Sequence, residues 1–239
     1  MKLRPWVGRA VATVVDWAHA GLDMVAAGAA TLRRAVAPQH EVSDCSTIPV
    51  IILPGVLEPW RYLLPVGKYL ARQGHPIHYV PSLGFNLKDL TRSAEAVLEL
   101  IEEQDLSDVV LVAHSKGGLI GKTVLASDDR VLGMVSVSTP FAGSPLGGVL
   151  QKLPGARRTP FGMFFPGSPV LLSLAEQQEV NRRIISLAPA WDQVTPPESM
   201  RLPGAANRAL TSSGHFRPIR DARTWQIIHD GLHELAELD

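Results

Sequence analysis

The run Val109-Val110-Leu111-Val112-Ala113-His114-Ser115-Lys116-Gly117-Gly118 places one serine between a five-residue apolar strand and a helical segment at 119–126. A serine at such a corner can be a nucleophile. The tight strand-to-helix turn strains its backbone and holds its hydroxyl out at the top of the sheet. The residues two before and two after it must be small to avoid collision, and Ala113 and Gly117 meet that demand. The helix that follows opens with free N–H groups, whose field suits an oxygen gaining negative charge. The hydroxyl is a weak nucleophile until a base takes its proton. Without such a base, Ser115 would serve only as the helix N-cap.

The elements that must position Ser115 can be read from periodicity. Apolar runs at 50–53, 77–80, 109–113, 134–137 and 183–187 read as strands, with a sixth at 208–211. Helical patterns lie between them at 62–73, 88–103 and 119–126, and a closing helix spans 221–238. In the helix at 88–103, Leu90, Ala94, Val97, Leu98 and Ile101 share one face. Strands alternating with helices predict an α/β fold: one mainly parallel sheet with helices on both faces. Residues 143–180 break the rhythm with five prolines and the cluster Phe161, Met163, Phe164 and Phe165. That segment reads as a lid inserted over one end of the sheet.

Composition narrows the function classes. Hydrophobic residues make up 46% and charged residues 19%, which excludes a disordered tail or a coiled coil. Lys and Arg number 23, and so do Asp and Glu, so net charge gives no case for a nucleic-acid partner. Cys45 is the only cysteine, which excludes an internal disulfide and a Cys-rich zinc site. Residues 5–36 read as a helical arm, with Val7, Val11, Val14, Ala18, Gly21, Val25, Gly28, Leu32 and Val36 on one stripe. Arg9, Asp16, Asp23 and Arg33 lie off it. Residues 1–36 carry five Lys or Arg against two Asp, a local balance of +3. The first reading of the arm is packing on its own domain; the second is peripheral contact with a membrane or a partner. No run is long enough to span a bilayer, and the N-terminus fits a secretory signal poorly. The chain therefore reads as cytoplasmic, with membrane association through the arm as the second reading. Residues 1–40 form arm and linker (38–47 being the linker), and residues 41–239 form the main domain.

The serine corner resembles that of the α/β-hydrolase family, and in particular its lipase and esterase branch, with Ala113 in place of the first glycine of G-x-S-x-G. The resemblance runs over about residues 48–238. Leu53-Pro54-Gly55-Val56 follows the first strand where the family keeps an oxyanion loop, though Pro54 replaces the family's common His. Ser138-Thr139-Pro140-Phe141-Ala142-Gly143-Ser144 is similar to the segment after the next strand in bacterial lipases. The resemblance implies a triad in the order Ser, Asp, His. Asp192 in Trp191-Asp192-Gln193-Val194-Thr195-Pro196 fills the acid position, and His215 in Gly214-His215-Phe216 the base position, with Glu198 as reserve acid. It also implies backbone N–H donors from Val56 and Lys116, and an ester substrate cleaved through an acyl-enzyme.

For the substrate, the resemblance implies a small-molecule or lipid ester. Phe141, Phe161, Phe164 and Phe165, with Leu146, Val149, Leu150, Leu171 and Leu172, predict an apolar acyl site. Thioester cleavage, acyl transfer and non-catalytic binding use the same frame and stay open here. No cofactor is expected. His114 neighbours the nucleophile but points away from it on such a turn, so it reads as structural. His229 and His233 sit four apart on the closing helix with Asp230 between them. No third ligand is evident in the sequence, so no metal is expected there.

Overall fold

The computed structural model describes residues 13, 14, 16–18, 21, 22, 24–28, 47–145 and 161–238. Six strands form one sheet: β1 (Val50–Leu53), β2 (Ile77–Tyr79), β3 (Val109–His114), β4 (Val131–Val137), β5 (Ile184–Ala188) and β6 (Ala206–Ala209). Their order is β2-β1-β3-β4-β5-β6, and every pairing is parallel. The mainly parallel sheet expected from the sequence is thus present, with no antiparallel pairing among the described residues.

Strand residues alternate between two cores. Val50 and Ile52 of β1, with Val110, Val112, Val135 and Val137, pack under α1 (Leu64–Arg72) and the closing helix, which runs Ala222–Ala236. Ile51 and Leu53, with Leu111, Ala113 and Met134, pack under α2 (Leu90–Glu103) and α3 (Lys116–Leu125). Burial on both faces explains why the strands read as unbroken apolar runs. A fourth helix, α4 (Pro169–Glu176), follows the Phe cluster and is capped by Ser168, which accepts from the Leu171 N–H. The closing helix is α5. Among the described residues, no helix is long and apolar enough to cross a membrane.

The chain runs from β1 out to β2 on one side and returns to β3 on the other. The strand order thus reverses between β1 and β3, and loops leaving their C-terminal ends open a crevice there. Ser115 sits at the end of β3, and Gly55-Val56 follow β1. The α3 helix approaches this point closely along its glycines. A Cβ at Gly117 would lie 2.3 Å from the Leu53 carbonyl oxygen, which is backbone and cannot turn aside.

The sixth strand lies two residues earlier than the apolar pattern suggested. Its register is set by Ile185 pairing with Ala206, and by the Asn207 side chain, which accepts from the Leu202 N–H at 2.9 Å and donates to the Leu202 carbonyl at 2.8 Å. Polar anchoring overrode hydrophobic spacing at this sheet edge. Residues 1–12, 29–46 and 146–160 lie outside the described residues, so Cys45, residues 38–46 of the linker, Val7, Val11, Leu32 and Val36 of the arm's predicted stripe, and Leu146, Val149 and Leu150 do too.

Helix propensity alone would make Gly117→Ala stabilising by about 1 kcal/mol. The Leu53 carbonyl reverses that sign. The variant should lose ~1–3 kcal/mol of stability through overpacking, read as a lower urea midpoint at unchanged slope. A midpoint at or above that of the parent would show that the corner is not tightly packed.

Candidate active site

Ser115 adopts φ 51° and ψ −119°, a left-handed conformation that is costly for a residue with a side chain. Its neighbours β3 and α3 hold it there. Asp192 stands on the loop after β5, and His215 on the loop after β6. An isolated bridge between Trp191 and Ser213 ties those two loops together.

The structure brings the three side chains into one line. The Ser115 hydroxyl lies 3.0 Å from His215 Nε2, and His215 Nδ1 lies 2.8 Å from Asp192 Oδ2. A carboxylate only accepts, so Nδ1 carries the imidazole proton and Nε2 presents its lone pair to the serine O–H. The other carboxylate oxygen of Asp192 accepts from the Val194 and Thr195 amides at 2.7 and 2.8 Å, which fixes its plane. All three side chains are buried. Glu198 lies on the turn Pro197–Met200 and makes no hydrogen bond to His215.

A second line of buried charges stands behind the first. The Glu58 carboxylate accepts from the Gly55 N–H at 2.6 Å and from His114 Nδ1 at 2.9–3.0 Å. His114 Nε2 donates to the His215 carbonyl at 3.1 Å. Both partners of His114 can only accept, so both its nitrogens carry protons and the ring is an imidazolium. Burial alone would push its pKa down, but the Glu58 charge and hydrogen bond outweigh that and the net direction is up. His114 is thus structural, as its place on the turn implied, and it links the Gly55 loop to the His215 loop.

The Lys116 side chain is buried too. Its ammonium donates to the Asn86 and Lys88 carbonyls at 2.8 and 2.5 Å, and burial pushes its pKa down to about 8. Asn86 in turn donates to the Pro54 carbonyl at 2.7 Å. This side-chain role was not readable from the sequence, where only the Lys116 backbone N–H drew attention.

The arm holds the residue that the sequence reading missed. Its described residues between 13 and 28 are helical and pack on the main domain, and Asp16 is 4% exposed. The Asp16 carboxylate accepts from three successive amides, those of His215, Phe216 and Arg217, at 2.9, 3.2 and 2.8 Å, and from the Gln193 side chain. Consecutive N–H groups form a concave anion site. Gly214 (φ 108°) makes room for it, since a Cβ there would lie 2.7 Å from the carboxylate. The predicted stripe is corrected accordingly. Val14 and Val25 are 69% and 73% exposed, while the off-stripe Asp16 faces inward. Apolar and small residues surround the arm helix on every side, so periodicity could not choose a face. A lone acid beside Trp17, within an otherwise apolar stretch, was the available signal.

A cleft of about 160 Å³ opens beside Ser115 and His215. Phe161, Phe164 and Val56 line it, joined by Trp17, Met24 and Phe216. Four predicted wall residues, Phe141, Phe165, Leu171 and Leu172, are elsewhere. Phe141 turns from the cleft into the α3 side of the core and lines a separate cavity with Lys122, Leu171 and Leu172. Phe165, the extended residue that ends the short helical turn Gly162–Phe164, is buried and lines neither cavity.

No protein-family model and no curated protein matches the chain. Solved structures do. A lipase of Bacillus licheniformis in its mature form superposes with a TM-score of 0.64 at 16% identity, covering 82% of this chain and 96% of its own. A monoacylglycerol lipase of Paleococcus ferrophilus gives 0.55 at 16%, covering 80% and 95%. An alpha/beta hydrolase enzyme from a metagenome of lagoon sediments gives 0.57 at 17%, covering 79% and 92%. The chain has the α/β-hydrolase fold.

Two measurements test the buried charges. Asp16→Ala strands three amide donors and should cost about 2–3 kcal/mol in urea unfolding, with Asp16→Asn losing less because its amide oxygen still accepts. An unchanged midpoint would mean that the arm does not brace the loop. The His114 pKa is higher folded than unfolded, so its stabilising contribution is complete below the ordinary imidazole value of about 6.5 and is lost as pH rises through the folded value. Unfolding free energy should therefore decline on the alkaline side of neutrality. Glu58→Gln should remove that decline.

Proposed function

We propose that the protein is a serine hydrolase of carboxylic esters with an apolar acyl group, acting through an acyl-enzyme. The observation that carries this reading is the hydrogen-bonded line from Ser115 through His215 to Asp192, starting at a serine held at positive φ. The fold shared with lipases and an alpha/beta hydrolase enzyme supports it.

The chemistry follows from the atoms. His215 Nε2 takes the Ser115 proton as Oγ attacks the ester carbonyl. The Val56 and Lys116 amides receive the developing oxyanion, each contributing roughly 3–4 kcal/mol to the transition state. Neither amide donates to another acceptor among the described residues, so both are free for this role. Collapse breaks the C–O bond, and the departing alcohol takes the proton from Nε2. Water then enters, gives its proton to the same nitrogen, and attacks the acyl carbon. Release of the acid restores Ser115. Asp192 holds the Nδ1–H and offsets the imidazolium charge without being protonated. No metal or cofactor enters these steps.

The cleft walls support an apolar acyl group, because nine of the fourteen lining residues are apolar and Ser115 and His215 are two of the five polar ones. Trp17 and Leu57, at 47% and 45% exposed, form an apolar rim through which such a substrate enters. The volume is close to that of a cavity that admits benzene, ~150 Å³, which favours short chains.

Ser115→Ala should lower turnover of a p-nitrophenyl ester by about 10⁶-fold with little change in melting temperature. Among p-nitrophenyl esters, kcat/KM should peak at or below about six acyl carbons. A fluorophosphonate probe should label Ser115 in the parent and nothing in the variant. Equal hydrolysis by parent and variant would sink the proposal.

A further inference from the structure

The fold brings a third imidazole to the histidine pair on α5. His75 precedes β2, and its Nε2 lies 3.1 Å from Nδ1 of His229, 154 residues away. His233 lies one turn beyond His229, and the ligand nitrogens of all three residues fall within 4.8 Å of one another. His229 stands edge to face with both His75 and His233, the His75 and His233 rings are tilted to each other, and the centroids lie 4.9–5.6 Å apart. We propose that His75, His229 and His233 bind a zinc-class divalent metal ion that clamps α5 to the N-terminal edge of the sheet.

The argument rests on donor chemistry. His75 Nδ1 lies 3.0 Å from the Ile48 carbonyl, which only accepts, so that nitrogen carries the proton. A neutral His75 therefore aims the lone pair of Nε2 at the α5 histidines. Metal-binding histidines commonly hold their other N–H on a carbonyl in this way, which fixes tautomer and ring orientation. Zn–N bonds of 2.0–2.1 Å in a tetrahedron set the nitrogens about 3.3 Å apart. His75 and His229, with nitrogens 3.1 Å apart, are already near that spacing. The exposed His233 closes the remaining gap by a rotamer change. On binding, the His229 proton moves from Nδ1 to Nε2, so no net proton is released. Water completes the fourth position at the surface. A two-histidine hydrogen bond would need only His75 and His229; the third ring, four residues along the same helix face, completes a tripod.

The site lies at the N-terminal ends of the parallel strands and Ser115 at a C-terminal end, so its effect is on stability rather than on ester cleavage. Chelator-treated protein, titrated with zinc chloride in a calorimeter, should bind one equivalent. At zinc a hundredfold above Kd the melting temperature should rise by about 5–10 °C. His233→Ala and His229→Ala alter partly exposed positions and should fold. Each should weaken zinc binding at least ~10-fold and abolish most of the thermal shift. Absence of a thermal shift in the parent overturns the proposal. So does parent-like zinc affinity in either variant, which would place the ion elsewhere.

Discussion

One imidazole must reach two partners on two other strands, and everything around the crevice follows from that demand. Ser115 leaves β3, Asp192 follows β5, and His215 follows β6. Hydrogen bonds of 3.0 and 2.8 Å fix the ring at both ends. A loop carrying such a ring would ordinarily fluctuate, since loops make few apolar contacts. Here the backbone of that loop is held on two sides. Its amides at 215–217 point into the Asp16 carboxylate, and its carbonyl at 215 receives the His114 N–H.

Both anchors are charged and buried, which is a costly way to hold a loop. An isolated carboxylate removed from water loses several kcal/mol of hydration. Asp16 is compensated by three amides and a Gln193 amide, and Glu58 by the His114 imidazolium and the Gly55 amide. What the arrangement gains is direction. Apolar packing could bury the loop, but it would tolerate small rotations that take Nε2 out of line. Fixed donors and acceptors do not, and they also join the Gly55 loop to the His215 loop through a single pair of side chains.

Much of this was legible in the sequence, because strand-to-helix corners carry local signals. Ala113, Gly117 and the apolar run before Ser115 were enough to locate the corner, and the resemblance supplied Asp192 and His215. What stayed hidden was long-range or ambiguous in period. Asp16 contacts His215 across 199 residues, and nothing near Asp16 in sequence encodes that. Val14 and Val25 look like core positions, yet a polar contact chose the opposite helix face. Phe141 and Phe165 sit beside cleft residues in sequence, but turns send adjacent side chains apart. His75 and His229 came together only through tertiary packing, because α1, which ends just before His75, lies against α5.

The arm therefore does two things with one helical turn. Asp16 braces the backbone of the His215 loop, and the adjacent Trp17 walls the cleft and packs edge-on against Phe216, with ring centroids 5.3 Å apart. Phe216 belongs to the braced loop and also packs against the His215 ring at 4.9 Å. Under the proposed reaction, a substrate group that displaced Trp17 would push on Phe216 or pull on Asp16, and either motion would reach the imidazole. Acyl groups that fit without moving Trp17 would leave the Ser115–His215 distance intact, whereas bulkier ones would lengthen it. Selectivity would then appear in turnover as well as in affinity, because the wall that selects the substrate and the brace that aligns the base are neighbours on a single helix.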